Sequence, residues 1–164
     1  MKRLIVYVHG KGGSAQEAEH YKSLFPKDEV IGFDYRSQTP WQAKKEFFAF
    51  FTEERGRCEP LTLVANSIGA FFALSSLDET LVDRAYFISP ILDMENLICN
   101  MMQWSGVTEQ ELALTSIETV SAFAKLHHAD LTVIPGGEHW FHTDEQMQFL
   151  DKWIRERSLN DVCG

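Results

Sequence analysis

Short apolar runs alternate along this chain with segments of helical periodicity, and this alternation constrains the fold more than any other feature. The runs that predict strands are Leu4–Val8, Val30–Phe33, Leu61–Ala65, Ala85–Ser89 and Leu131–Ile134. The first of them, LIVYV, is β-branched and apolar on both faces, which is typical of a buried strand. Strands that alternate with helices form βαβ units, so the pattern predicts a parallel sheet.

Helix start and stop signals lie between these runs. Ser14, with Glu17 three residues later, is a capping box that predicts a helix ending near Pro26. Thr39-Pro40 predicts the start of a helix that ends near Gly56. Further helices are predicted from Ser67 to about Leu77, over 93–104, over 116–127, and from the cap at Thr143 to about Arg157.

Right-handed crossovers would place these helices on both faces of the sheet. The predicted fold class is therefore a three-layer α/β/α arrangement around a shortened, mostly parallel sheet of about five strands. The chain has 164 residues, which fits a single domain over 1–164.

The residues that follow each strand are the candidates for function, because ligands of parallel sheets bind beyond the carboxyl ends of the strands. The third apolar run leads into Ala65-Asn66-Ser67-Ile68-Gly69, with a small residue two positions before and after the serine. A sharp strand-to-helix turn exposes a serine hydroxyl above the sheet, and small neighbours avoid a clash there. The pattern predicts a nucleophile elbow at Ser67; the alternative is a serine that only caps the next helix.

A serine nucleophile needs a base, and a histidine is the usual one. His139 follows the last apolar run in the sequence GGEHWF, where it could reach Ser67, and His142 is the second choice. A metal site formed by these two histidines would need a third ligand, and none is evident nearby. The sequence therefore predicts an acid–base role at His139, and neither a metal nor an organic cofactor.

The negative oxygen that forms during acyl transfer needs backbone N–H donors. One is expected from Ile68, the residue after the nucleophile. The other is expected from the glycine-rich loop after the first strand, with Lys11 as the first choice and Gly12 as the second. His9 in the same loop is expected to be a structural hydrogen-bonding residue.

The motifs HGKGGSA, ANSIGA and GGEHWF together resemble the α/β-hydrolase family. The chain is similar to the compact bacterial members that lack a separate cap domain. Ser67 precedes His139, in agreement with the family's order of serine, acid and histidine. The resemblance implies a carboxylesterase-like serine hydrolase that cleaves a small ester, thioester or amide through an acyl-enzyme on Ser67.

One segment departs from the family's pattern. An apolar strand followed by Gly-x-x-Asp usually lies between the fourth and fifth runs, and residues 105–130 contain no such strand. Asp93, after the fourth strand, is the expected acid, although it could equally cap a helix. Glu118 is a second choice if Leu112–Leu114 forms the missing strand. A chain without the acid could be a slow hydrolase or a non-catalytic binding module.

A dinucleotide-binding protein is the other alternative. Gly10, Gly12 and Ala15 fit the fingerprint G-x-G-x-x-G/A after a strand, and Asp34 follows 19 residues after Ala15. This interpretation ranks second because it leaves the ANSIG and GGEHW motifs without a role.

Charge and cysteine content bound the partners and the compartment. The net charge is −9, so nucleic acid and anionic membranes are poor partners. A small acyl substrate is what the resemblance to the hydrolases implies. The three cysteines are far apart and form no CxxC, and the apolar N-terminal run is too short for a signal peptide. A cytoplasmic protein is predicted, and a sheet edge exposed by the missing strand could drive dimerisation.

Overall fold

The structure is a computed structural model that describes residues 2–92, 117–137, 141 and 143–160. Its parallel strands are β1 (Lys2–Val8), β2 (Glu29–Phe33), β3 (Cys58–Asn66) and β4 (Arg84–Ile88). They lie in the order β2-β1-β3-β4. The chain adds strands on opposite sides of β1, so the topological switch point lies between β1 and β3, where ligands of such sheets bind.

Helices cover both faces of this sheet. They are α1 (Ala18–Lys22, after a 3-10 turn at Ala15–Glu17), α2 (Pro40–Arg55), α3 (Ile68–Ser76), α4 (Ile117–Leu126) and α5 (Asp144–Asn160). None of the helices in these described ranges is long and apolar enough to cross a bilayer.

The side chains of β1 alternate between two hydrophobic cores. Leu4, Val6 and Val8 pack in the core that α2 and α3 cover, and Ile5 and Tyr7 pack in the core that α1 and α5 cover. All of them are at most 3% exposed, which explains why the LIVYV run has no polar alternation. The predicted fold class, a three-layer α/β domain with a parallel sheet, is confirmed.

The local start signals also agree with the structure. Thr39 Oγ1 accepts a hydrogen bond from the backbone N–H of Gln42 at the start of α2. The backbone N–H of Ser14 donates to Glu17 Oε1 at 3.0 Å, as the capping box requires. The predicted helix over 93–104 lies outside the described residues.

The predicted fifth strand, Leu131–Ile134, is wrong, and the sheet within the described residues has four strands. Leu131 is 41% exposed and Val133 is 54% exposed. Thr132 instead contacts α5, where Trp153 Nε1 donates to Thr132 Oγ1 at 2.8 Å. An apolar tetrapeptide becomes a strand only beside a partner that accepts its hydrogen bonds, and β4 pairs with β3 alone among the described strands.

Candidate active site

Ser67 occupies the turn between β3 and α3, at the switch point of the sheet. Its backbone angles are φ 52° and ψ −121°, a combination that residues other than glycine rarely adopt. The N–H of Ser67 donates to the carbonyl oxygen of Ile88 at 2.9 Å, and the residue is only 4% exposed. The neighbouring strand β4 thus holds the serine in a strained conformation, a feature that clusters at active sites.

Two glycines let this turn pack directly against the end of β1. A Cβ on Gly69 would lie 2.4 Å from the carbonyl oxygen of His9, so only glycine allows the first turn of α3 to sit there. A Cβ on Gly10 would lie 3.2 Å from the Cβ of Ser67. The small residue after Ser67 in the sequence motif is therefore explained by contact with β1, and the loop that follows β1 lies against Ser67.

The loop after β1, His9–Gly13, is a closed turn. The N–H of Gly13 donates to the carbonyl oxygen of Gly10 at 3.2 Å. Tyr35 donates its hydroxyl proton to the His9 carbonyl at 2.9 Å and stacks on the His9 ring at 4.4 Å between centroids. His9 Nδ1 is also 2.8 Å from the Gly10 carbonyl oxygen. These contacts give His9 a structural role.

The structure brings together three of the predicted site residues. Ser67 ends the β3 turn, Ile68 begins α3, and Lys11 lies exposed in the glycine-rich loop that contacts Ser67 through Gly10. The predicted base and acid lie outside the described residues, as does the alternative strand: His139, His142, Asp93 and Leu112–Leu114.

The second-choice acid lies within the described residues. Glu118 lies exposed in the first turn of α4, where a carboxylate is favourable for the helix alone.

Sequence reasoning did not find a buried tyrosine and a carboxylate beside the glycine-rich loop. The Tyr7 hydroxyl donates to Glu17 Oε2 at 2.5 Å. Burial raises the pKa of Tyr7 far above its ordinary value, and the neighbouring Tyr21 and Glu17 raise it further, so the hydroxyl keeps its proton. Two signals point to the pair: a tyrosine within an otherwise aliphatic strand, and a capping-box glutamate that also follows the loop.

A cavity of about 310 Å³ opens beside these residues. Gly10 and Asn66, which flank Ser67 in space and in sequence, line one side of it. Its apolar wall is formed by Tyr7, Tyr21, Ile88, Phe141, Met147 and Leu150. The cavity therefore borders the serine turn and offers room for a small, largely apolar group.

The residues of the dinucleotide fingerprint are arranged differently from that motif. The glycine-rich loop leads into a 3-10 turn and then into α1, which has only five residues. A phosphate site of this type relies on the N-terminus of a long helix that begins at the loop. Asp34 is exposed after β2. The loop therefore lacks the geometry of a dinucleotide-binding site.

Comparison with known proteins supports the fold and leaves the family open. No protein-family model matches the chain, and no curated protein matches it. A crystal structure of a carboxylesterase from Mesorhizobium loti is similar, with a TM-score of 0.63 and 14% sequence identity, over 94% of this chain and 88% of that one. The chain therefore has a hydrolase-like α/β fold.

Proposed function

We propose that the protein is a serine hydrolase of the carboxylesterase type, which cleaves a small ester, thioester or amide through an acyl-enzyme on Ser67. The observation that supports this proposal most is the strained conformation of Ser67, φ 52° and ψ −121°, at the strand-to-helix turn of the switch point. A serine that only caps a helix has ordinary extended angles, as Thr39 does at φ −136° and ψ 153°. The strain of Ser67 fits a nucleophile elbow.

The chemistry begins when Ser67 Oγ attacks the carbonyl carbon of the substrate. His139 takes the hydroxyl proton and later gives it to the leaving alcohol, thiol or amine, and Asp93 orients the imidazole and stabilises its cation. Water then attacks the acyl carbon while His139 takes a proton from it, and the imidazolium returns that proton to Ser67 Oγ as the carboxylic acid leaves. No metal or organic cofactor takes part.

The backbone supplies the oxyanion donors. The carbonyl of Ser67 accepts from the N–H of Ala70 at 3.1 Å, which begins the hydrogen-bond ladder of α3. The N–H of Ile68, the first residue of that helix, has no partner within the ladder and can donate to a bound oxyanion. We assign the second donor to the N–H of Lys11, because the loop that carries it lies against Ser67 at Gly10.

The cavity beside the serine turn indicates the kind of substrate. Its wall is mostly aromatic and aliphatic, and Lys11 and Glu17 line its polar part. An ester with a short apolar chain would place that chain against Tyr21 and Leu150 and its carbonyl near Gly10.

Covalent labelling with a fluorophosphonate probe tests the proposal directly. Wild-type protein should be labelled at one serine, and Ser67→Ala should abolish the label. Ser89→Ala is the matched control, because Ser89 also follows a strand and has a positive φ of 44°; it should keep the label. Folded wild-type protein that takes no label would contradict the proposal and favour a non-catalytic binding module.

A further inference from the structure

We infer that Glu17, held by Tyr7, is a positioning residue that fixes the oxyanion loop, His9–Gly13, against Ser67. The inference deepens the proposed hydrolase function and rests on it. Neither residue needs to touch the substrate for this role, since both act through the backbone of the loop.

Glu17 holds the C-terminal end of the oxyanion loop. Its Oε1 accepts from the N–H of Ser14 at 3.0 Å. A Cβ on Gly13 would lie only 2.6 Å from the same oxygen, so the carboxylate lies directly over the α-carbon of Gly13. The loop can pack against this carboxylate because Gly13 has no side chain.

Tyr7 anchors that carboxylate to the sheet. Its hydroxyl donates to Glu17 Oε2 at 2.5 Å, and a hydrogen bond to a charged acceptor is about twice as strong as one between neutral groups. Tyr7 is itself 2% exposed and lies in the central strand β1. Glu17 therefore links the end of the loop to a buried strand in the interior of the sheet.

The N-terminal end of the oxyanion loop has an anchor of its own. Tyr35 donates to the His9 carbonyl at 2.9 Å and stacks on its ring. Between the two anchors the chain bends through Gly12, whose φ is 74° and where an added Cβ would meet no atom of the described residues within 4 Å. The position of the Lys11 N–H thus depends on the two ends, and Glu17 controls one of them.

Loss of this anchor should act on the transition state more than on substrate binding. An oxyanion donor contributes about 10²–10³ in kcat, and a displaced donor loses part of that contribution. We expect Glu17→Ala to lower kcat about tenfold or more, with KM nearly unchanged. Glu17→Gln keeps one acceptor oxygen, so its kcat should fall less than that of Glu17→Ala.

The experiment measures kcat and KM for a short p-nitrophenyl ester in Glu17→Ala, Glu17→Gln and Tyr7→Phe, and in the double variant of Tyr7 and Glu17. The kcat of the double variant should be little lower than that of Glu17→Ala alone, since both residues act through one contact. Glu19→Gln, on the exposed face of α1, and Tyr86→Phe, a buried strand tyrosine of the same core, are matched controls that should keep wild-type kcat.

The outcomes separate this inference from the proposed function. Wild-type protein without label or turnover refutes the hydrolase itself. Wild-type kcat in Glu17→Ala and Tyr7→Phe overturns the positioning role while the hydrolase stands. A raised KM at constant kcat also overturns it, because Glu17 would then contact the substrate. An equal loss of kcat in the control variants would also overturn the positioning role, because the loss would then reflect reduced stability. Urea unfolding of each variant measures that stability.

Discussion

At the scale of single residues, the turn at Ser67 depends on glycines at positions where a side chain would clash with a neighbour. The N–H of Ser67 donates to β4. Gly69 lets the first turn of α3 pack against the end of β1, and Gly10 lets the loop after β1 pack against Ser67. A strained serine persists only when its surroundings over-determine it. Substitution at these glycines therefore reports on the turn itself.

Gly69→Ala should damage both stability and reactivity. The new Cβ would lie 2.4 Å from the His9 carbonyl, so α3 must move away from β1. Overpacking of this kind costs about 1–3 kcal/mol, and the same movement displaces Ser67 and Ile68. The free energy of unfolding, measured in urea, and the rate of fluorophosphonate labelling should both be lower than in wild type.

Gly56→Ala is the matched control for this prediction. Gly56 ends α2 with φ −67°, and its nearest neighbour for a Cβ is a carbonyl oxygen at 3.3 Å. The φ of Gly56 permits alanine, and the carbonyl need move by only a few tenths of an ångström, so this substitution should change stability much less than Gly69→Ala. A Gly69→Ala protein with wild-type stability and labelling would show that the close contact does not position the turn.

The identity of the base is a second prediction at this scale. His139→Ala should reduce kcat by about 10²–10⁴, the contribution of a general base, whereas His142→Ala should cause the smaller loss. Asp93→Asn should also reduce kcat strongly if it orients the imidazole. Steady-state kinetics of the three variants measures this, and a larger loss in His142→Ala would reverse the assignment.

At the scale of elements, the sequence predicts those strands and helix starts that depend on neighbouring residues in the chain. The LIVYV run predicts β1 because both of its faces are buried, and Thr39-Pro40 predicts the start of α2 because its cap is local. Leu131–Ile134 fails because a strand also needs a partner, which no short pattern encodes.

The same distinction applies to the candidate site. The motif at Ser67 predicts a turn that depends on neighbouring small residues, and the structure places such a turn there. The contact of Tyr7 with Glu17 joins residues ten positions apart through the fold, so no spacing rule indicates it. Whether the chain dimerises at the edge of the sheet stays a prediction.

Asp83, the residue before β4, connects β3 with α2, and its replacement is the prediction at this scale. Asp83 Oδ2 accepts from the N–H of Leu61 at 2.7 Å, and the Arg55 guanidinium of α2 forms two hydrogen bonds to the same carboxylate. Asp83→Ala leaves the N–H of the fully buried Leu61 without its acceptor, which costs about 1–3 kcal/mol. Urea unfolding should show this loss in the free energy of unfolding.

Asp83→Asn is the matched variant, since its side-chain oxygen can still accept from Leu61. It should lose much less stability at neutral pH, because an exposed ion pair contributes little. The hydrogen bonds from Arg55 hold the pKa of Asp83 below its ordinary value, so their contribution is present above that value and is lost as the pH falls below it. Equal losses in the two variants would contradict the role of the Leu61 contact.

At the scale of the whole molecule, the sheet divides the protein into two cores that each contain buried tyrosines. Tyr35 lies in the core under α2 and α3, and Tyr7 and Tyr21 lie in the core under α1 and α5. Burial raises the pKa of all three above the ordinary value of tyrosine, and nearby carboxylates raise it further. Both cores therefore depend on tyrosines that remain protonated.

Stability should decrease in alkaline solution for this reason. The unfolded chain releases the three phenolic protons near pH 10, whereas the folded chain keeps them, so the contribution is complete below about pH 10 and is lost above it. Each retained proton lowers the free energy of unfolding by about 1.4 kcal/mol for every pH unit above 10. Urea unfolding from pH 8 to pH 11 should give a plateau and then a steep decline. Tyr21→Phe should make the decline less steep than in wild type, because one of these tyrosines is removed. Equal slopes in the two proteins would contradict the burial of Tyr21 as a cause.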